Sequence, residues 1–116
     1  MPGLYYEEFE EGMEFKHALT RTVTEMDNIM FCALTHNPQP LHLDAEFSKN
    51  TMYGKQLVNS IFTLGLVIGV TVGDTTLGTT LGNLGMTEVR FSNPVFHGDT
   101  LRSMTRIKGK RESKSR

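Results

Sequence analysis

The sequence predicts an α+β domain in which an antiparallel sheet wraps a single buried helix. Three observations point there. The stretch from Leu57 to Val72 is apolar nearly all round, which places a helix at the centre of a soluble domain rather than on its surface. Strand-like segments lie on both sides of it, at 14–23 before and at 84–91 and 101–107 after. The chain has 116 residues, enough for one small domain, 1–116, and too few for two.

The elements follow in order. Residues 14–23, EFKHALTRTV, alternate loosely and end rich in Thr, as a strand does. Thr24 before Glu25, Met26 and Asp27 is a capping-type helix start. Met26, Ile29, Met30, Ala33 and Leu34 recur at helical spacing, so 25–34 is expected to be an amphipathic helix with that stripe inward. It ends near Thr35, because Pro38 and Pro40 cannot lie in a helix interior. Residues 35–44 then form a proline-stiffened polar loop, and stiffness suits a site that must hold side chains still. Asp44 is placed to cap a short helix over 45–50, and Gly54 marks a turn.

In the apolar helix, Gly65, Gly69 and Gly73 recur every four residues. Each glycine costs about 1 kcal/mol in a helix interior. Close packing on the sheet is the expected compensation. Residues 74–82 are loop-like, Leu84 to Phe91 reads as a strand, Ser92-Asn93-Pro94 breaks it, Phe96 to Asp99 is a turn, and Leu101 to Ile107 is the next strand. The ending KGKRESKSR carries five Lys or Arg against one Glu, as a solvated tail or exposed strand end does.

Composition narrows the function classes. Hydrophobic content of 38% and charge of 22% are ordinary for a soluble chain. A net charge of -1 argues against a general nucleic-acid binder. Cys32 is the only cysteine, so there is no internal disulfide and no cysteine-rich zinc site, and a reducing cytoplasm is compatible. The four histidines lack ligand spacing, so no metal is expected. The acidic N-terminus is not a secretory signal, and the 16 apolar residues fall short of the roughly 20 that span a membrane. A domain this small buries only about two-thirds of its unfolded surface, so a homodimer or higher homo-oligomer is expected.

Two motifs then resemble a known family. The run FCALTHNPQPLHLDAEF is similar to the stretch of MaoC-like dehydratases, which include the (R)-specific enoyl-CoA hydratases, where an apolar helix leads into Ser-Gly-Asp-x-Asn-Pro-x-His-x-Asp. EVRFSNPVFHGDTL resembles the family's later Pro-Val…Gly-Asp-Thr-Leu strand-turn-strand. The resemblance covers nearly the whole chain. It implies a hot-dog fold, a curved antiparallel sheet around a long central helix, usually dimeric. It also implies an acyl-CoA substrate, no cofactor beyond that thioester, and addition or removal of water at the α,β double bond.

The matches and departures are specific. His42 matches the family's histidine and Asp44 its following aspartate. Asn37 stands where the family has its catalytic aspartate, Gln39 where it has asparagine, and Asn59-Ser60 where it has His-Gly. This set resembles the branch acting on branched dicarboxylic thioesters such as mesaconyl-CoA or itaconyl-CoA. The family's sheet normally continues beyond a segment like RESKSR, so the domain is expected to be truncated at its C-terminus, its last strands missing.

Enoyl-thioester hydration needs a base for water, a proton for the α-carbon, and stabilisation of charge on the thioester oxygen. His42 suits the first two, and Asn37 is expected to orient the water. The third is expected from the backbone amide at Ser60, at the start of the central helix. Asn59 is expected to contact the acyl group or simply cap the helix, and Gln39 to line the substrate site. Arg90 or the terminal cations could meet coenzyme A phosphates. His17 is expected to be exposed on its strand, Cys32 to lie in the core, and His97 to sit in a structural turn. Two alternatives stay open, a hot-dog acyl-CoA thioesterase and a non-catalytic acyl-CoA-binding or assembly subunit, because fold alone does not choose among them.

Overall fold

The computed structural model describes residues 2–113. A 3-10 turn at Tyr6–Glu8 leads into strands β1 (Glu14–Lys16) and β2 (Arg21–Thr22). Helices α1 (Glu25–Leu34), α2 (Pro40–Leu43), α3 (Ala45–Lys49) and α4 (Ser60–Thr75) follow, and strands β3 (Thr100–Leu101) and β4 (Met104–Arg106) come last.

The strands form one interrupted antiparallel ladder. β1 pairs with β4 in the register Phe15↔Thr105, and β2 pairs with β3 in the register Arg21↔Leu101. Backbone bonds prolong the pairing at both ends, from Gly12 N–H to Ile107 O and from Val23 N–H to Asp99 O. Between the pairs, residues 17–20 oppose only 102–103. Two extra residues on one side break a ladder and bend it. The strands expected over 14–23 and 101–107 are therefore each split in two.

The expected strand over 84–91 is absent: those residues join no ladder, and Leu84, Met86, Val89 and Phe91 are exposed. Strand character in a sequence becomes a strand only when a neighbouring chain accepts its hydrogen bonds. Among the described residues none does.

Helix α1 has the bounds the sequence predicts, and its start is a capping box. Thr24 Oγ1 accepts from Asp27 N–H, and Asp27 Oδ2 accepts from Thr24 N–H at 2.9 Å. Arg21 grips the same carboxylate with both terminal nitrogens, at 2.6 and 2.8 Å. The helix turns a different face inward from the one expected. Met26, Ile29, Met30, Ala33 and Leu34 are exposed, whereas Asn28 and Cys32 are buried. Residues four apart share a face, so the buried line is the small, polar one.

Helix α4 starts at Ser60, after an extended segment in which Leu57 bridges to Phe96. It was expected to be enclosed, yet of its 16 residues only Val70 and Thr75 are buried. A Cβ on Gly65, Gly69 or Gly73 would meet no atom within 4 Å, so the predicted close packing on that face is not found among the described residues. Hydrogen bonds from the ladder reach the middle and the end of the helix. Ser103 Oγ donates to Val67 O, and the N-terminal strap bonds to the helix end through Gly3 N–H to Leu77 O and Leu4 N–H to Thr75 O. A Cβ on Gly3 would overlap the backbone of 75–77. With a radius of gyration of 17.0 Å, the chain is more extended than the ~13 Å of a compact domain of this length. No helix among the described residues is long and apolar enough to cross a membrane.

His17 corrects another expectation. It is buried, not exposed, because the interruption after β1 turns it under the sheet. Nδ1 lies 2.7 Å from Asp74 Oδ2 on α4, and Nε2 lies 2.7 Å from Thr105 Oγ1 on β4. One imidazole thus ties β1, β4 and the end of α4 together. His17→Ala is expected to lower stability by about 1–3 kcal/mol, the usual cost of losing partners for buried polar groups. Urea unfolding checks this, and an unchanged midpoint would show that the tie is not needed.

The hydrogen bonds from Arg21 hold the Asp27 carboxyl well below the usual carboxylate range. A depressed folded value means the ionised form stabilises the fold. That contribution is complete above about pH 4 and is lost as pH falls towards the folded value. Asp27→Asn should therefore be less stable than the parent at pH 7, and thermal melts across pH should show the gap closing below about pH 4. A constant gap would count against the pair.

Candidate active site

The residues singled out by sequence fall on the turn after α1, on α2 and at the start of α4. Thr35 caps α1, and its hydroxyl donates to Phe31 O at 2.8 Å. His36, exposed, takes a positive φ of 59°, which turns the chain sharply. Asn37 N–H then bonds to Cys32 O, fastening the turn to the helix. Asn37 Oδ1 accepts from Gln39 N–H at 3.0 Å, an Asx turn. That bond uses one lone pair of the carboxamide oxygen, so its second lone pair and the NH2 end both remain able to face a ligand.

The segment expected as a stiff loop contains a short helix. Pro40 occupies the first turn of α2, where a missing N–H costs nothing and a fixed φ helps. His42 is thus carried on a helical turn, not on a loop. Gln39 is the N-cap of α2 and is exposed. Asp44 closes α2 through its N–H to Pro40 O and opens α3 by accepting from Glu46 N–H and Phe47 N–H, as its position predicts. Buried Ser48 of α3 donates to Leu41 O at 2.9 Å, which holds the two short helices together.

His42 Nδ1 lies 2.7 Å from Leu57 O. A carbonyl only accepts, so Nδ1 carries the proton and Nε2 keeps a free lone pair when the ring is neutral. The ring is half-buried. Its own carbonyl accepts from Gln56 Nε2 at 2.9 Å.

Asn28, a residue the sequence reading passed over, stands behind this ring. It is completely buried. Its Nδ2 lies 3.2 Å from His42 O, 3.0 Å from Leu57 O and 3.1 Å from His97 Nε2. Its Oδ1 accepts from Asn59 N–H at 2.9 Å. The sign of its importance was available: Asn28, Cys32 and Thr35 fall on one side of α1, a polar and small line opposite the apolar stripe. His97 lies in the expected turn and also joins this network. Cys32 is buried, as expected, beside Asn59 Nδ2 at 3.6 Å.

Asn59 caps α4: its Oδ1 accepts from Ile61 N–H at 2.9 Å. The amide of Ser60, first in the helix, has no acceptor within the helix by geometry. The helix dipole makes this end attractive to negative charge. An open cleft of about 190 Å3 lies here, lined by Phe31, Thr35, Asn37, Asn59 and Ile61. It brings Asn37 and Asn59 to one surface. His42 is joined to that surface through Asn28 and Leu57 rather than by direct contact with either asparagine. Gln39, whose backbone N–H bonds to Asn37 Oδ1, is exposed, and so is Arg90.

Residues 8–116 match the family described as MaoC like domain. The chain is 31% identical over 97% of its length to beta-methylmalyl-CoA dehydratase of Chloroflexus aurantiacus, and 32% identical over 96% to mesaconyl-CoA hydratase of Cereibacter sphaeroides. It spans about a third of each of those relatives, 32% in both cases. The monoamine oxidase regulatory protein of Archaeoglobus fulgidus is 33% identical and superimposes with a TM-score of 0.77, covering 90% of this chain and 70% of that one. The shared architecture is the hot-dog arrangement of antiparallel sheet and long helix. On the extent of the match and the agreement in fold, this chain belongs to the MaoC-like family.

Proposed function

We propose that the chain carries the site of an acyl-CoA hydratase (dehydratase), which adds water to, or removes it from, the α,β double bond of an enoyl-CoA thioester. The observation that carries this reading is the His42 tautomer: Nδ1–H is committed to Leu57 O, so Nε2 is the basic nitrogen. Family membership and the names of the relatives support the same class of reaction.

In the hydration direction, Nε2 of His42 takes a proton as the water oxygen bonds to the β-carbon. The electron pair of the double bond moves towards the thioester, leaving an enolate. The same proton then passes to the α-carbon, so the product gains H and OH and nothing is oxidised or reduced. The carboxamide of Asn37, its orientation held by the bond from Gln39 N–H, orients the water or the thioester oxygen. The Ser60 amide at the start of α4 receives the developing negative charge. Asn37 differs from a carboxylate in one decisive way: it cannot take a proton at neutral pH, so His42 is the only titrating group in the scheme.

The cleft sets three polar side chains, Thr35, Asn37 and Asn59, beside the apolar Phe31 and Ile61. The names of the relatives point to a branched dicarboxylic acyl group such as mesaconyl, which the three polar side chains would meet. Exposed Gln39, bonded to Asn37 through its backbone, is assigned a contact with the remainder of the thioester.

A panel of enoyl-CoA thioesters, mesaconyl-CoA included, tests the assignment by following loss of the conjugated absorbance together with free thiol. Loss of conjugation without thiol is the expected result. Thiol release would establish a thioesterase instead, and binding without either change would establish an acyl-CoA-binding subunit. His42→Ala is expected to lower kcat/KM by about 10²–10⁴, the typical contribution of a general acid-base. Near-normal turnover in that variant would refute the mechanism. Asn37→Asp preserves the acceptor for Gln39 N–H and adds a second titrating group. Its pH–rate profile is expected to gain a limb that the parent lacks, and an unaltered profile would remove Asn37 from the reacting atoms.

A further inference from the structure

We infer that Asn28 is a positioning residue for His42, acting through the Leu57 carbonyl, and that it sets the imidazole relative to the first turn of α4. The inference rests on the hydratase reading only for its effect on rate; its effect on the ring itself stands apart.

The geometry is a closed frame. Leu57 O accepts from His42 Nδ1 at 2.7 Å and lies 3.0 Å from Asn28 Nδ2. His42 O lies 3.2 Å from the same Nδ2. One carboxamide nitrogen therefore holds both the backbone that carries the ring and the carbonyl that receives its proton. The other end of the same amide accepts from Asn59 N–H at 2.9 Å, which ties the frame to the N-cap of α4. Helix α1 thereby fixes the distance between the base and the cleft, although Asn28 does not line that cleft.

The chemistry at the position is narrow. Asn59 N–H can only donate, so an oxygen must face it. His42 O and Leu57 O can only accept, so donors must face them. A carboxamide supplies both at this spacing. Its two N–H groups are shared among three acceptors, the third being His97 Nε2, so His97 holds its own proton on Nδ1. Alanine would leave several buried backbone groups unpaired. Aspartate would keep the bond from Asn59 N–H but set an anionic oxygen against two carbonyls. Alanine adds no charge near Nε2, whereas aspartate also brings an anion within reach of the ring, so a change shared by both variants reports position.

The test compares the full chain with Asn28→Ala and Asn28→Asp, and reads the His42 ring by long-range 15N–1H NMR alongside hydration kinetics. The parent is expected to show His42 as the Nδ1–H tautomer. In the variants that tautomer is expected to lose its dominance, and kcat to fall about tenfold to a hundredfold, as it does for small misplacements of a reacting group, with KM unchanged. Should Asn28→Ala fail to fold, Asn28→Asp, of equal size, carries the tautomer readout, taken at a pH where the ring is neutral. A folded variant with the parental His42 tautomer and parental kcat overturns the inference, as does an Nε2–H tautomer in the parent. If the parent hydrates no enoyl-CoA, the hydratase reading fails, while the NMR comparison still decides whether Asn28 holds the ring.

Discussion

A single buried carboxamide organises the centre of this molecule. Asn28 joins α1 to the His42 turn, to the extended segment at Leu57, to the cap of α4 and to the turn at His97. They come from three separate stretches of the chain, around residues 42, 57–59 and 97. The buried hydrophobic residues are Val23, Cys32, Val58 and Val70 among those described, while His17, Asn28, Ser48, Asn59, Thr75 and Ser103 are buried and polar. Polar groups are tolerated inside only when their hydrogen bonds are met, and a satisfied network gives a unique arrangement that apolar contacts alone leave loose.

Two such networks divide the work. The His17 set, with Asp74 and Thr105, fastens the ladder to the far end of α4. The Asn28 set fastens α1 and α2 to its near end. Between them the helix runs with an open glycine face. The helix is thus held at both ends and at Val67, and its first turn, where the cleft lies, is fixed by the same bonds that fix His42.

The chemistry assigned to the site follows from where hydrogen bonds are already committed. A histidine whose Nδ1–H is taken by a carbonyl has a defined basic nitrogen without a carboxylate partner. An asparagine whose oxygen is held by a turn has a defined orientation. Neither assignment needs the rings or amides to move. They come from local backbone geometry: Pro40 starting a helical turn under His42, and an Asx turn at Asn37. Sites built in this way hold their groups in place before a ligand arrives, which is what lowers the cost of reaching a reacting geometry.

The sequence by itself determined the local chemistry of the chain. Thr24 and Asp27 set the start of α1, Asp44 set the start of α3, Asn59 and Ser60 marked the entry to α4, and the Asn-Pro-x-Pro-x-His run fixed the family resemblance. Each depends on neighbours a few residues away, so each is legible in one dimension. Which way α1 faces, how far α4 is enclosed, whether 84–91 finds a partner, and that Asn28 and His17 are hubs were decided only in three dimensions. Hydrophobic periodicity predicted the Met26–Leu34 stripe inward, but Asn28 could satisfy four backbone and side-chain groups at once, and the structure buries that face instead. Long-range hydrogen bonds leave no spacing rule in the sequence, because their partners are brought together only when the chain folds.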